Sequence, residues 1–132
     1  MKDYCGTKDL VPGRAYYGAG VWRNTWVYLG RSSDKEYVWF FIGCEERLLN
    51  NPTLSQVLKD INTFGNDACS VTKSIKKVKP IENLLKDTDS NNYVSEDAKK
   101  LALSNFRIGD IDNITQESLD TVARIARSRI YW

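Results

Sequence analysis

The stretch that decides the fold reads TWVYLGR over residues 25–31 and, after a turn at residues 31–34, YVWFFI over residues 37–42. Ten of the chain's fifteen aromatic residues precede residue 43. In the first run, Trp26, Tyr28 and Gly30 alternate with Val27 and Leu29, so the two sets lie on opposite faces of a strand. The second run is apolar on both faces, as is typical of a central strand that is covered on each side. Together with a shorter run at residues 14–18, this pattern predicts a small, tightly turned antiparallel sheet.

An aromatic sheet of this kind either buries its rings or presents some of them to a partner. Trp39, Phe40 and Phe41 belong to the run that is apolar on both faces, so we expect them in the core. The other aromatic residues next to the turns are candidate contact residues, and the sequence leaves open whether their rings face water. These candidates are Tyr16, Tyr17, Trp22, Trp26 and Tyr28.

Length and composition are those of an ordinary globular domain. The chain has 132 residues, 42% of them hydrophobic and 27% charged, which predicts one domain with a core that needs no disulfide or metal. Its longest strongly apolar run is residues 37–42, whereas a membrane-spanning helix needs about twenty such residues. The sequence also begins without a basic stretch followed by an apolar one. We therefore expect a cytoplasmic protein that does not associate with membranes.

Cysteine and histidine usage excludes several classes of site. The three cysteines, Cys5, Cys44 and Cys69, form no CxxC pair, and the chain has no histidine. The common zinc patterns are therefore absent. The usual general base of serine and cysteine hydrolases is absent as well. We expect reduced, structural thiols, no cofactor and no enzymatic activity.

The rest of the chain adds one strand and three helices to the sheet. Apolar spacing and capping residues predict helices at residues 52–64, 95–106 and 115–130, and alternation predicts a strand at residues 71–81. The predicted fold class is α+β, with one helix inserted in the sheet and two C-terminal helices. We expect a single domain over residues 1–132, made of a β-rich part at residues 1–81 and a helical part at residues 82–132.

Two basic segments offer a further candidate contact surface. Lysines two apart on a strand project together, and arginines on a terminal helix can contact phosphates, so both segments fit nucleic-acid binding. Lysines also keep an edge strand soluble, and arginines complement the C-terminal end of a helix, so a purely structural role explains both segments too. The residues concerned are Lys73, Lys76, Lys77, Lys79, Arg124 and Arg127.

An acidic loop at residues 87–97 resembles the start of a calcium-binding EF-hand loop. Asp87, Asp89 and Asn91 match the first three oxygen ligands, but Ala98 stands where the bidentate carboxylate belongs. These residues are therefore weak candidate metal ligands, and we predict no bound metal. A small metal-dependent enzyme that uses this loop together with Asp110 and Asp112 is the alternative.

Several stretches within residues 5–81 occur in the order of the strands of a known small barrel. They read LVPG at residues 10–13, AYY at 15–17, WVYLGR at 26–31 and YVWFF at 37–41, with the late strand at 71–81. This part of the chain resembles an SH3-like barrel of the KOW or Tudor type. The resemblance implies a non-catalytic module that binds protein or nucleic acid through aromatic residues at the barrel rim.

In overall style the chain resembles accessory proteins of bacteriophages or mobile elements, many of which inhibit or redirect host machinery. We therefore predict a binding or regulatory protein that contacts a macromolecule, with a protein partner preferred and a nucleic acid as the alternative. If the source is viral, the expected location is the host cytoplasm. Self-association through the aromatic sheet or through Tyr131 and Trp132 is a further alternative.

Overall fold

The computed structural model describes residues 5–18, 21–41, 69–83, 100 and 114–129. Short 3₁₀ helices at Thr7–Asp9 and Ile81–Asn83 flank the sheet in sequence, and helix α1 spans Gln116–Arg129. The strands within these ranges are β1 at Ala15–Gly18, β2 at Val21–Arg31, β3 at Tyr37–Phe41, β4 at Cys69–Thr72 and β5 at Val78–Pro80.

These strands form one antiparallel sheet in the order β4-β3-β2-β1-β5. The α+β class predicted from the sequence is confirmed. Strand β3 lies between β2 and β4, and its first four residues are buried, as its apolar faces predicted. The predicted helices at residues 52–64 and 95–106 lie outside the described residues, apart from Lys100, which is helical.

The single strand predicted at residues 71–81 is wrong, because this stretch forms two strands on opposite edges of the sheet. Strand β4 pairs with β3, and β5 pairs with β1. Residues 73–77, here called the β4–β5 link, leave the ladder through a bend at Lys73 and Ser74. The pattern that predicted one strand runs through this link without a turn residue such as Gly or Pro, so the period alone could not show that the pairing partner changes.

Strand register places a cluster of aromatic residues on one face of the sheet. The Tyr16 and Trp39 rings meet edge to face with centroids 6.4 Å apart, although β2 separates their strands. Tyr28, on that middle strand, contacts Trp39 with centroids 5.1 Å apart. The buried members of this aromatic cluster are Leu10, Tyr16, Tyr28, Tyr37, Trp39 and Val78.

Two polar groups of the aromatic cluster, the Tyr16 hydroxyl and the Trp39 indole N–H, have hydrogen-bond partners. The Tyr16 hydroxyl donates to the Asp9 carbonyl at 3.0 Å and accepts from the Val11 N–H at 2.8 Å. The indole N–H of Trp39 donates to Thr72 Oγ1 at 3.1 Å. Because a buried polar group without a partner costs about 1–3 kcal/mol, these bonds fasten the N-terminal segment and strand β4 to the cluster.

Helix α1 packs on the opposite face, against β2, β3 and β4. It begins as predicted, because Thr115 Oγ1 accepts from the Ser118 N–H at 3.1 Å. Its buried stripe was also predicted from the 3.6-residue period. The stripe consists of Leu119, Val122, Ala123 and Ala126.

A polar contact joins α1 to the β2–β3 turn. Ser33 donates to the Asp120 carboxylate from its N–H, at 2.7 Å, and from its hydroxyl. Arg127 pairs with Glu36 at 2.9 Å and with Asp34 at 3.2 Å. We call these five residues the turn–helix clip. It connects positions 87 to 93 residues apart in sequence.

Candidate functional site

Most of the predicted contact aromatics are buried. Tyr16 and Tyr17 are 0% exposed and Tyr28 is 4% exposed, so the expectation that these rings are available to a partner fails. Trp22 lies in β2, and its side chain falls outside the described part of the molecule. Trp26 is half-buried and is the predicted contact aromatic that the described structure leaves accessible.

Trp26 forms a pair with Phe41, which is also half-buried. The two residues lie opposite each other on β2 and β3, and their ring centroids are 4.7 Å apart. The apolar run at residues 37–42 predicts Phe41 in the core with Trp39 and Phe40, but its ring is only half-buried.

Lys76 covers the Trp26 ring. Its Nζ atom lies 4.0 Å from the ring centroid, which is within the range of a favourable cation–π contact. Burial lowers the pKa of Lys76, because desolvation penalises the charged ammonium. Ile75 packs beside Trp26 against the aromatic cluster, so the β4–β5 link is held to the sheet by both residues.

The four lysines predicted to project together from one strand do not do so. Lys73 and Lys77 are exposed in the β4–β5 link, whereas Lys79 lies in β5 and is only 5% exposed. Lys73, Lys76 and Lys77 instead bring three positive charges to the β4–β5 link, whose Lys76 lies over the Trp26 ring. We call this surface the basic–aromatic rim. It consists of Trp26, Phe41, Lys73, Ile75, Lys76 and Lys77.

The two predicted arginines of α1 differ in their surroundings. Arg124 is exposed. Arg127 is committed to the turn–helix clip, where its Nε donates to the largely buried Glu36 carboxylate. Of these two arginines, only Arg124 is therefore available to contact phosphate, because Arg127 is paired with acidic residues.

The described residues contain no metal site of the kind that the acidic alternative requires. Among them, no group of three or more His, Cys, Asp or Glu side chains could hold a metal ion. The candidate metal ligands lie outside the described ranges, as does the predicted association patch at Tyr131 and Trp132. Those ligands are Asp87, Asp89, Asn91, Asp110 and Asp112.

Cys5 is a thiol on the side of the aromatic cluster. Burial, followed by the charge of Asp9, raises the pKa of Cys5 to about 11. The thiol is therefore protonated at neutral pH and is a poor nucleophile. This agrees with the structural role expected for it.

The turn–helix clip and the cover of Lys76 over Trp26 were not foreseen from the sequence. Both depend on contacts between distant segments, and neither leaves a local pattern. No family model, curated protein or solved structure matches this chain. In the described ranges, no helix is long and apolar enough to span a membrane.

Proposed function

We propose that this chain is a non-catalytic binding or regulatory protein that acts by contact with a macromolecular partner through the basic–aromatic rim. The observation that carries the proposal is the half-buried Trp26–Phe41 pair with Lys76 over the tryptophan ring. The other predicted contact aromatics with described side chains are buried. Aromatic residues, tryptophan among them, are enriched in protein contact surfaces and in the few residues that carry most of the binding energy.

The positive charge of the rim favours an acidic polypeptide as the partner. The segment from Ser70 to Pro80 contains four lysines and no acid, and Lys73, Lys76 and Lys77 lie in the β4–β5 link. A partner carboxylate can pair with Lys76 while the ammonium stays on the ring, so the cation–π contact and the ion pair coexist. An apolar partner side chain next to that carboxylate would cover Phe41. We therefore propose a partner segment that combines acidic and apolar residues.

Nucleic acid is the second candidate, and the rim geometry fits it less well. Binding of single strands depends on bases stacking on open aromatic faces beside a basic groove. Lys76 occupies one face of the accessible tryptophan, so a base would have to displace it. Of the six basic residues predicted to contact phosphate, Lys79 is buried and Arg127 is paired with acids. The cations that remain form a short patch.

The proposed module has an SH3-like arrangement. Support comes from the order β4-β3-β2-β1-β5, in which the long strand β2 pairs on both sides and β5 returns to β1. In a flat sheet the two edges would be about 19 Å apart. The β4–β5 link could span about 20–22 Å only when fully extended, yet it contains a bend. A sheet that curls toward a barrel removes this conflict.

A role as an accessory protein of a bacteriophage or mobile element, which inhibits or redirects host machinery in the cytoplasm, is the biological setting we propose. A small module whose surface chemistry is a rim of lysines and aromatic rings fits this role, because it can act by occupying an acidic surface of a host protein.

Competition between an acidic peptide and an oligonucleotide tests the proposal. The probes are a blocked peptide of alternating glutamate and leucine and a thymidine oligonucleotide of equal charge. Binding is followed by the indole N–H signal of Trp26 in NMR spectra at low and high salt. We expect the peptide to bind more tightly, with an affinity that falls as salt rises. The double variant K73E/K77E should lower this affinity about tenfold, since each reversal turns an attractive pair into a repulsive one.

Arg124→Glu is the matched control for Lys77→Glu, because both reverse one exposed charge and Arg124 lies on α1, outside the rim. We expect R124E to leave peptide affinity within about twofold of the wild type. Equal losses of peptide affinity in K77E and R124E would show that binding depends on net charge alone. That result would contradict binding at the rim. Tighter binding of the oligonucleotide would favour the nucleic-acid function instead.

A further inference from the structure

We infer that a depression beside Arg14, separate from the basic–aromatic rim, binds a carboxylate group. The depression has a volume of about 400 Å³ and lies between the N-terminal segment, the start of β1 and the end of β5. This inference rests on different residues from the proposed function. The depression is lined by Cys5, Lys8, Asp9, Val11, Arg14, Pro80 and Asn83.

The first observation is the buried Nε atom of Arg14. It makes no hydrogen bond to any residue that the structure describes. A buried donor without an acceptor is uncommon in folded proteins, where such a group is met by an ordered water, an ion or a ligand. Guanidinium donors match the oxygens of a planar carboxylate, which they bind through two parallel hydrogen bonds.

The acids near Arg14 do not fill this role. Asp9 Oδ2 accepts from the Gly6 N–H at 2.7 Å, which holds that carboxylate in the cap of the first 3₁₀ helix. Glu82 lies near enough to influence Cys5, but within the described residues it forms no ion pair with Arg14. Among the described residues no carboxylate pairs with the guanidinium, which leaves it to an external acceptor.

The second observation is that donors outnumber acceptors in the lining. Lys8 is an exposed ammonium, and Asn83 adds amide hydrogens. The Cys5 thiol stays protonated at neutral pH because burial raises its pKa to about 11, so it adds no competing anion. A ligand with two acceptor oxygens and one negative charge fits this set better than a cation or an apolar group.

The test follows the Nε–Hε signal of Arg14 in NMR spectra of the full chain. The probes are acetate, inorganic phosphate, a short peptide with a free C-terminal carboxylate and the same peptide as its amide. We expect a saturable shift of this signal with acetate and with the acid peptide, and none with the amide. Tighter binding of the acid peptide would assign the site to a polypeptide carboxylate, and equal binding of acetate to a small free acid.

Arg14→Gln should reduce the affinity for the acid peptide by about tenfold or more, the scale of a charge-assisted hydrogen bond. Arg124→Gln is the matched control and should leave it unchanged. If R14Q does not fold, the Arg14 signal of the wild-type protein still shows whether a carboxylate binds at this site. An Arg14 signal that does not move with either carboxylate would overturn the inference, as would tighter binding of phosphate than of acetate, or equal binding of the amide.

Discussion

Gly30 lies where strand β2 passes beneath helix α1. Its φ is +133°, a region that side chains with a Cβ rarely adopt. A Cβ at this position would also lie 3.0 Å from Leu119 Cδ2. The ladder between β2 and β3 shifts register between Tyr28 and Gly30, so the glycine both permits the bulge and makes room for the helix.

Gly30→Ala should therefore destabilise the protein by about 1–3 kcal/mol, through backbone strain and the contact with Leu119. Urea unfolding followed by circular dichroism measures the change. Gly6→Ala is the control, because a Cβ there would make an ordinary contact of 3.5 Å with Asp9 and no positive φ is involved. A loss in G30A no larger than that in G6A would show that α1 does not pack as described.

Tyr16 was a candidate contact residue in the sequence, but in the fold it is a buried structural residue. Tyr16→Phe keeps the ring but removes the hydroxyl that joins Asp9 and Val11, so we expect a loss of about 1–2 kcal/mol in the free energy of unfolding. Tyr37→Phe removes a hydroxyl of the same aromatic cluster that has no partner among the described residues, and should change stability by less than about 0.5 kcal/mol. Equal effects in the two variants would argue against the Tyr16 hydrogen bonds.

At the scale of elements, α1 is positioned by an apolar stripe and by the turn–helix clip. The apolar stripe sets which face of the helix is buried, but it leaves the helix free to slide along the sheet. The clip fixes that position, because Asp120 and Arg127 bind opposite sides of one short turn. Lys35 in this turn has φ of +65°, which orders the turn at some cost in backbone strain.

The clip predicts a pH dependence of stability. Hydrogen bonds from the Ser33 hydroxyl and N–H lower the pKa of Asp120 below its ordinary value of 3.8. A carboxyl whose pKa is lower in the folded state stabilises the fold above the ordinary value, and this contribution is lost as the pH falls through the folded-state pKa. Asp120→Asn should therefore melt below the wild type at neutral pH, and the difference should narrow below about pH 4.

Thermal unfolding across this pH range measures the effect of Asp120. Glu117→Gln is the matched control, since its carboxylate lines the same surface depression as Asp120 but makes no hydrogen bond to the turn. Its melting temperature should follow the wild-type pH profile. A D120N profile parallel to the wild type at every pH would contradict the role given to Asp120.

At the scale of the whole molecule, the C-terminal helix and the N-terminal strands share one core. Helix α1 covers the face of the sheet opposite the aromatic cluster, so this helix is not independent of the β-rich part. A helix of 14 residues is marginal in water when it is isolated. The packing of α1 on the sheet is what keeps it folded.

We therefore expect a single cooperative unfolding transition. Tryptophan fluorescence reports the aromatic cluster, and circular dichroism at 222 nm reports helix content. Their midpoints in urea should coincide within error. Two separate midpoints would show that the helical part folds on its own.

Sequence reasoning predicted the elements whose period and caps are local. It predicted β3 as a central strand, the start of α1 at Thr115 and the buried stripe of that helix, because each depends on neighbouring residues alone. It was wrong about residues 71–81, where one alternating pattern serves two strands with different partners. It also left Tyr16 and Tyr17 open as contact residues, because the N-terminal segment that anchors the Tyr16 hydroxyl closes over it only in the folded chain.

The sequence by itself determined the fold class, the strand-forming runs, the amphipathic face of α1 and the absence of histidine chemistry, since these follow from composition and short-range periodicity. Tertiary structure alone decided which rings remain accessible, which lysine covers Trp26, and where Arg127 and Asp120 bind. The physical reason is that burial and ion pairing depend on which distant segments meet. Strand order and the packing of α1 on the sheet set those meetings, and no short-range pattern in the chain encodes them.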